Sequence, residues 1–166
     1  MREPSDWCKK NANGDNGVVT AATLPRLELP SVDGSPIRLD EVLAAGVAVV
    51  LFVTEECPTC AMTLRRLAAP AGDLTAAGIS VTAIFEDPLE VAARSARGTG
   101  FRGTVLSEPE PYELSRSFEL QSVPTTLLFD PEGSVLRRVV GWDREGWRKL
   151  TGIRDLGEGL PAFQPG

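Results

Sequence analysis

The chain has 166 residues, 42% hydrophobic and 24% charged, which suits one water-soluble globular domain with its own core. A net charge of −6 argues against nucleic-acid binding and against an anionic membrane surface, and no apolar run reaches the roughly 18 residues that span a bilayer. Histidine is absent, which excludes His-based triads, His general bases and His metal ligands, and three cysteines are too few for a secreted disulfide scaffold.

Residues 1–23 are polar, rich in Asn, Gly and Asp, and read as a flexible N-terminal tail carrying Cys8. They lack the basic-then-apolar pattern of a secretory signal, which predicts a cytoplasmic protein. Removal of an export segment would leave the same pattern in an extracytoplasmic one. From residue 24 the pattern becomes that of a folded domain. Leu27-Glu28-Leu29 and Ile37-Arg38-Leu39 alternate apolar and polar around Asp33-Gly34, predicting a short hairpin. Asp40 then caps a brief helix to Leu43. The run Val47 to Val53 is apolar without alternation, as in a central strand buried on both faces.

Cys57-Pro58-Thr59-Cys60 follows closely, and after it Cys60, Leu64, Leu67 and Ala71 recur on one helical stripe, with Arg65 and Arg66 outside it. Gly78 closes that unit, and Ile79 to Phe85 is the next strand. Asp87-Pro88-Leu89-Glu90 is a capping signal with proline at the first helical position, opening a helix to about Arg97. Thr104 to Leu106 is a short strand and Pro111 to Phe118 a short helix. Thr125 to Phe129 and Val135 to Val140 flank the turn-forming Asp130-Pro131-Glu132-Gly133, predicting an antiparallel hairpin. Asp143 caps a last helix to about Leu150, which Trp142 and Trp147 pack. Residues 151–166 contain Gly and Pro without periodicity and are set apart as a C-terminal tail. The order predicts an α/β domain over 24–150, a mixed central sheet with helices on both faces. Right-handed crossovers would bring the strand ends at Phe52 and Thr126 together.

Two thiols spaced as Cys57 and Cys60 are, at a strand-to-helix junction, can exchange a disulfide with another molecule. One sulfur attacks as thiolate and the other resolves the mixed disulfide. The unpaired amides and positive dipole end of the helix would stabilise a thiolate on Cys57. The plainer alternatives are two structural thiols or half of a zinc site. With only Cys8 left and no His, the chain cannot build an ordinary four-ligand zinc site alone, so neither metal nor organic cofactor is implied. Cys8 reads as a bystander. Val123-Pro124-Thr125 stands just before an apolar strand; with a cis prolyl bond it would present backbone edges to an extended peptide, but a proline that merely opens a strand has the same sequence.

An apolar strand, a CxxC, a helix and, much later, Val-Pro-Thr-Thr with an apolar strand and Asp-Pro-Glu-Gly together resemble the thioredoxin superfamily. Pro124 stands 64 residues after Cys60, leaving room for an added strand-helix unit. That unit and the N-terminal hairpin resemble the TlpA-type thiol–disulfide oxidoreductases and related redoxins. The resemblance covers about residues 24–150 and implies a thioredoxin-like fold and a thiol–disulfide oxidoreductase. It implies Cys57 as nucleophile, Cys60 as resolving thiol and Pro124 as a cis-proline that, with Val123 and Thr125, docks the partner. The partners implied are a protein disulfide substrate and an upstream thiol reductant.

This sequence departs from the family at three positions. Glu56 stands where a Trp often precedes the first cysteine, Leu51 replaces the buried carboxylate of thioredoxins, and Thr63 replaces an acid found in some TlpA-type reductases. Glu55 or Glu56 could substitute as the proton-transfer helper, or could disfavour the Cys57 thiolate. The second effect would make the protein a reductase rather than a disulfide donor. With Thr54, Pro58 and Thr59 they form the candidate tuning residues. The rival enzyme is a peroxiredoxin-like thiol peroxidase with Cys57 as peroxidatic cysteine, suggested by Thr54-x-x-Cys57. Val50 replaces the proline expected there, and Arg102 is only a guess for the required arginine. The non-enzyme rival is a thioredoxin-like module that holds a partner near Pro124 without turnover.

Overall fold

The computed structural model describes residues 25–43, 46–68 and 71–166; the expected N-terminal tail and Cys8 lie outside the described residues. Strands β1 (Glu28–Leu29) and β2 (Ile37–Arg38) pair antiparallel, with Leu29 opposite Ile37, as their alternation predicts. Helix α1 (Leu39–Leu43) begins one residue before Asp40, so Asp40 is not its cap. Arg38 takes the Asp40 carboxylate instead, at 2.6 Å. Then come β3 (Val47–Val53), α2 (Pro58–Ala68), α3 (Ala71–Ala76), β4 (Ile79–Phe85), α4 (Leu89–Thr99) and β5 (Thr104–Ser107). Beyond them lie α5 (Glu113–Ser117), β6 (Thr125–Phe129), β7 (Val135–Val140), β8 (Trp142–Asp143), α6 (Arg144–Thr151) and β9 (Phe163–Gln164). The helix after the cysteines is thus two helices, and residues 69–70, which separate them in sequence, lie outside the described residues. The side chain of Ala71 lies outside the description.

All seven residues of β3 are buried, and the strand is central in a sheet ordered β5-β4-β3-β6-β7. It runs parallel to β4 and antiparallel to β6, and β6 and β7 form the predicted hairpin. Alternation along a strand explains why an unbroken apolar run belongs here. Val49, Leu51 and Val53 join Leu64 and Leu67 of α2, Ala92 and Ala96 of α4, and Trp147 and Leu150 of α6 in one core. Ala48, Val50 and Phe52 join Leu39 and Leu43 of α1, Leu114 of α5, Phe118 and Phe129 in the other. The Phe118 ring meets Phe129 edge-on at 5.6 Å. The free edge of β5 is covered by the N-terminal segment: Val32 N–H donates to the Val105 carbonyl and Ser107 N–H to that of Pro30. Among the described residues no helix is long and apolar enough to cross a membrane.

Residues 151–166, set apart as a tail on their lack of periodicity, fold back over the domain. Thr151 ends α6 and Leu156 is buried. Trp142 and Trp147, both fully buried, stack at 6.2 Å, and Trp142 Nε1 donates to the Pro161 carbonyl at 2.9 Å. β9 pairs antiparallel with β8, Trp142 opposite Gln164. A segment held by backbone bonds and glycine turns carries no hydrophobic period to read. Gly157 makes the close approach possible: its φ is +79°, and a Cβ there would run into the Trp142 ring.

Gly157→Ala should therefore destabilise the fold by roughly 2–4 kcal/mol, combining left-handed backbone strain with overpacking. Urea unfolding followed by tryptophan fluorescence would measure it, and an unchanged midpoint would contradict this packing.

Candidate active site

β3 delivers the chain through Thr54, Glu55 and Glu56 to the start of α2. Cys57 is the cap of that helix: its carbonyl accepts the Ala61 N–H at 3.1 Å, and its sulfur accepts the Cys60 N–H at 3.0 Å. Serine or aspartate oxygen usually fills this role. Here a sulfur stands at the positive end of the helix, where a thiolate is favoured over a thiol. Cys57 and Cys60 are joined as a disulfide, their Cα atoms 5.1 Å apart. Cys57 is 9% exposed and Cys60 fully buried, so Cys57 is the sulfur open to attack from outside.

The Val123–Pro124 bond is cis. The Val123 carbonyl oxygen lies 3.7 Å from Cys57 Sγ, which places the loop before β6 beside the cysteines. Pro124 is buried and its carbonyl accepts the Gly141 N–H at 2.8 Å. Thr125 is differently placed: it lies inside β6 between Phe52 and Val140, and its hydroxyl donates to the Ser122 carbonyl. Its hydroxyl is thus satisfied within its own loop, while Val123 is the residue whose carbonyl meets the sulfur.

The candidate tuning residues divide in the same way. Thr54 acts through its backbone, its carbonyl accepting the Cys57 N–H at 3.4 Å. Pro58 opens α2 and is exposed, while Thr59 is buried and its Oγ1 donates to the Pro165 carbonyl at 2.6 Å. Glu55 is held on two sides. Its carboxylate accepts from the Arg94 guanidinium at 2.7 Å, and its amide donates to Asp87 Oδ2 at 2.9 Å. Asp87 therefore does not cap α4, whose N-cap is Pro88 without any side-chain bond. Glu56 is exposed. Partial burial raises the Asp87 carboxyl above its ordinary range; the Glu55 amide opposes this, and the charges of Glu55 and Glu56 add to it.

Arg102, the guess for a peroxide-polarising arginine, is misplaced for that task. It precedes β5 at the end of the parallel strands where they begin, whereas Cys57 follows the end where they finish. Sequence reasoning also missed three groups. Asp87 was visible only as a cap, and Arg94 and Pro165 carried no signal. A buried carboxylate outside the site, Glu108 at 2% exposure, accepts the Leu114 and Ser115 amides and the Ser115 hydroxyl, holding the start of α5.

The AhpC/TSA family model matches residues 20–138. No curated protein shows significant similarity to the chain. Among solved structures, peroxidoxin BcpB from Mycobacterium tuberculosis is 22% identical with a TM-score of 0.69, covering 81% of this chain and 97% of that one. The thioredoxin domain of thiol-disulfide oxidoreductase BVU-2223 from Bacteroides vulgatus is 14% identical with a TM-score of 0.69, covering 82% and 95%. A candidate thiol:disulfide interchange protein DsbE from Chlorobium tepidum is 22% identical with a TM-score of 0.68, covering 78% and 90%. At these identities the likeness establishes a shared thioredoxin-like fold.

The raised Asp87 carboxyl gives a pH prediction. A group of this kind contributes stability that is whole below its unfolded-state value, about 3.9, and is lost as pH rises through the higher folded value. Asp87→Asn keeps an acceptor for the Glu55 amide without the charge. It should be at least as stable as the parent near pH 7 and lose any advantage below about pH 4. Urea midpoints across that range check this; a variant clearly weaker at neutral pH would contradict it.

Proposed function

Because the chain belongs to the AhpC/TSA family and has a thioredoxin-like fold, we propose that it is a thiol–disulfide oxidoreductase acting on a protein disulfide. The observation that carries this reading is the asymmetric pair: Cys57, the more exposed of the two at 9%, bonded to a helix amide, and Cys60 fully buried and already within disulfide reach. The partner disulfide lies along Val123 and Pro124, and the Cys57 thiolate attacks its nearer sulfur. One partner sulfur leaves as thiolate and takes a proton, and a mixed disulfide forms. Cys60 then loses its proton and attacks Cys57 Sγ. The second partner sulfur leaves, and the Cys57–Cys60 disulfide remains. An external thiol reductant returns the pair to its dithiol form with two electrons and two protons.

We assign the direction as reduction of the partner. The support is electrostatic: Glu56 adjoins Cys57 in the chain and Asp87 accepts the amide of Glu55, two residues before it, and carboxylates so placed oppose a strongly acidic thiol, which is the property of disulfide donors. Glu55 contributes less to that opposition, because Arg94 compensates its charge. A second reading is peroxide reduction, favoured by the family match and by the likeness to a peroxidoxin. In it the Cys57 thiolate takes one peroxide oxygen as the O–O bond breaks, the other oxygen leaves as hydroxide and takes a proton to become water, and the Cys57 sulfenic acid condenses with the Cys60 thiol, releasing a second water. The same disulfide results. Against it, neither arginine considered is free at the sulfur: Arg94 binds Glu55 and Arg102 lies at the far end of the strands.

Turnover of insulin disulfides and of hydrogen peroxide, measured side by side with dithiothreitol as reductant, tests the choice. Insulin reduction should dominate, and Cys57→Ser should abolish it. Cys60→Ser should accumulate a mixed disulfide on Cys57 detectable by mass. Peroxide consumption without insulin reduction would establish the peroxidase instead, and partner binding unchanged in Cys57→Ser would point to a non-catalytic module. The reductase direction further expects a potential more negative than about −200 mV, measured against glutathione.

A further inference from the structure

Residues 161–166 run back across the face that carries Cys57, tied at each step. The Pro161 carbonyl accepts from Trp142 Nε1 and the Ala162 carbonyl from the Arg144 amide, each at 2.9 Å. Phe163 and Gln164 pair with β8. The Gln164 carbonyl lies so close to Gly141 that a Cβ on Gly141 would stand 2.7 Å from it. The Pro165 carbonyl accepts from Thr59 Oγ1, inside the CxxC motif, at 2.6 Å. Gly166 then rests on the Val123–Pro124 bond, where a side chain would overlap the Val123 carbonyl. That carbonyl is the one 3.7 Å from Cys57 Sγ.

We propose that this segment is an internal occupant of the partner-docking edge, and that a protein disulfide reaches Cys57 only after Pro165 and Gly166 swing away. The inference rests on the reading of Val123 and Pro124 as the docking edge. A partner backbone laid along Val123 needs the space that Gly166 fills, and it needs the flank of α2 where Thr59 holds Pro165. A small disulfide needs neither, only an approach to the sulfur. The anchoring is also graded in the right sense. Residues 161–164 are fixed by a tryptophan bond and by strand pairing, whereas Pro165 and Gly166 are exposed and meet the site through the Thr59 hydroxyl and the Val123–Pro124 bond. The hinge therefore falls between Gln164 and Pro165, and opening leaves the Trp142 cover intact. The strap also shows the shape the edge accepts: an extended segment with a backbone carbonyl at Thr59 and no bulk against the Val123 carbonyl.

Two measurements test this. The first compares the full chain with one lacking only Pro165 and Gly166, using insulin and the small aromatic disulfide 5,5′-dithiobis(2-nitrobenzoate). Removing the two residues should speed insulin reduction about threefold or more, as expected when a competing closed state is removed, and should leave the small-disulfide rate within about twofold. Equal insulin rates in the two chains would overturn the strap while leaving the exchange chemistry standing. Failure of both chains on insulin, with the small disulfide still reacting, would overturn the protein-partner reading and the strap's proposed role with it. The second measurement needs no turnover. In the unaltered chain, nuclear Overhauser contacts should join the Gly166 α-protons to protons of Val123 and Pro124. Their absence would overturn the placement.

Discussion

The hydrogen bond from the Cys60 amide to the Cys57 sulfur, 3.0 Å long, stands where a wholly buried strand turns into a helix. The site's chemistry is organised around it. An oxygen at a helix cap satisfies an amide and ends its work there. A sulfur at the same place satisfies the amide and also gains a bias toward its reactive, charged form. The second cysteine sits three residues into the helix, close enough to bond to the first yet sealed within the core. The order of events follows from that burial. In the proposed mechanism an outside sulfur meets Cys57 first, and Cys60 acts only on what Cys57 already holds.

The other half of the site comes from sheet register. Phe52, the penultimate residue of β3, faces Thr125, the first residue of β6. The residues that follow one strand and precede the other must then be neighbours, which brings Val123 to Cys57 across 66 positions of sequence. A slip of one residue would turn every side chain of β3 to the opposite face. Here both faces are buried, Leu51 against α2 and Phe52 against Phe118, so a shifted register would have to repack two cores at once. The loop's backbone is fixed from its far side as well, because Gly141 donates to the Pro124 carbonyl.

The elements that were legible in the sequence are those governed by local pattern. β3, β4, β6 and β7 follow the apolar runs residue for residue, and Asp143 caps α6 through its carboxylate to the Glu145 and Gly146 amides. Two other aspartates with the same cap-like setting behave differently. Asp40 goes to Arg38 and Asp87 to the amide of Glu55, 32 residues earlier. A carboxylate takes whichever donor the fold brings within reach, and local sequence displays only the local donors. The same holds for Glu55 with Arg94, 39 residues on, and for Thr59 with Pro165, 106 residues on. The cysteine pair could be read because its spacing is its chemistry. Its surroundings are assembled from distant parts of the chain, and no window of sequence contains them.

Disulfide exchange and peroxide reduction both leave the Cys57–Cys60 disulfide, so that bond alone does not separate them. What separates them is the demand each places on the surroundings of the sulfur. Breaking an O–O bond develops negative charge on the departing oxygen, which calls for a cation or strong donors at that oxygen. Arg94 faces a carboxylate at 2.7 Å, and freeing it would also release the charge of Glu55 two residues from Cys57. The cation cannot be recruited without adding an anion beside the same thiol. Exchange with a disulfide makes no such demand, because charge passes from sulfur to sulfur along a line. It asks for a thiolate at a helix start and for a backbone edge that aligns the incoming bond. In the proposed exchange, the sulfur-capped helix and the Val123 carbonyl, 3.7 Å from Cys57 Sγ, would meet those two requirements with neutral backbone groups alone.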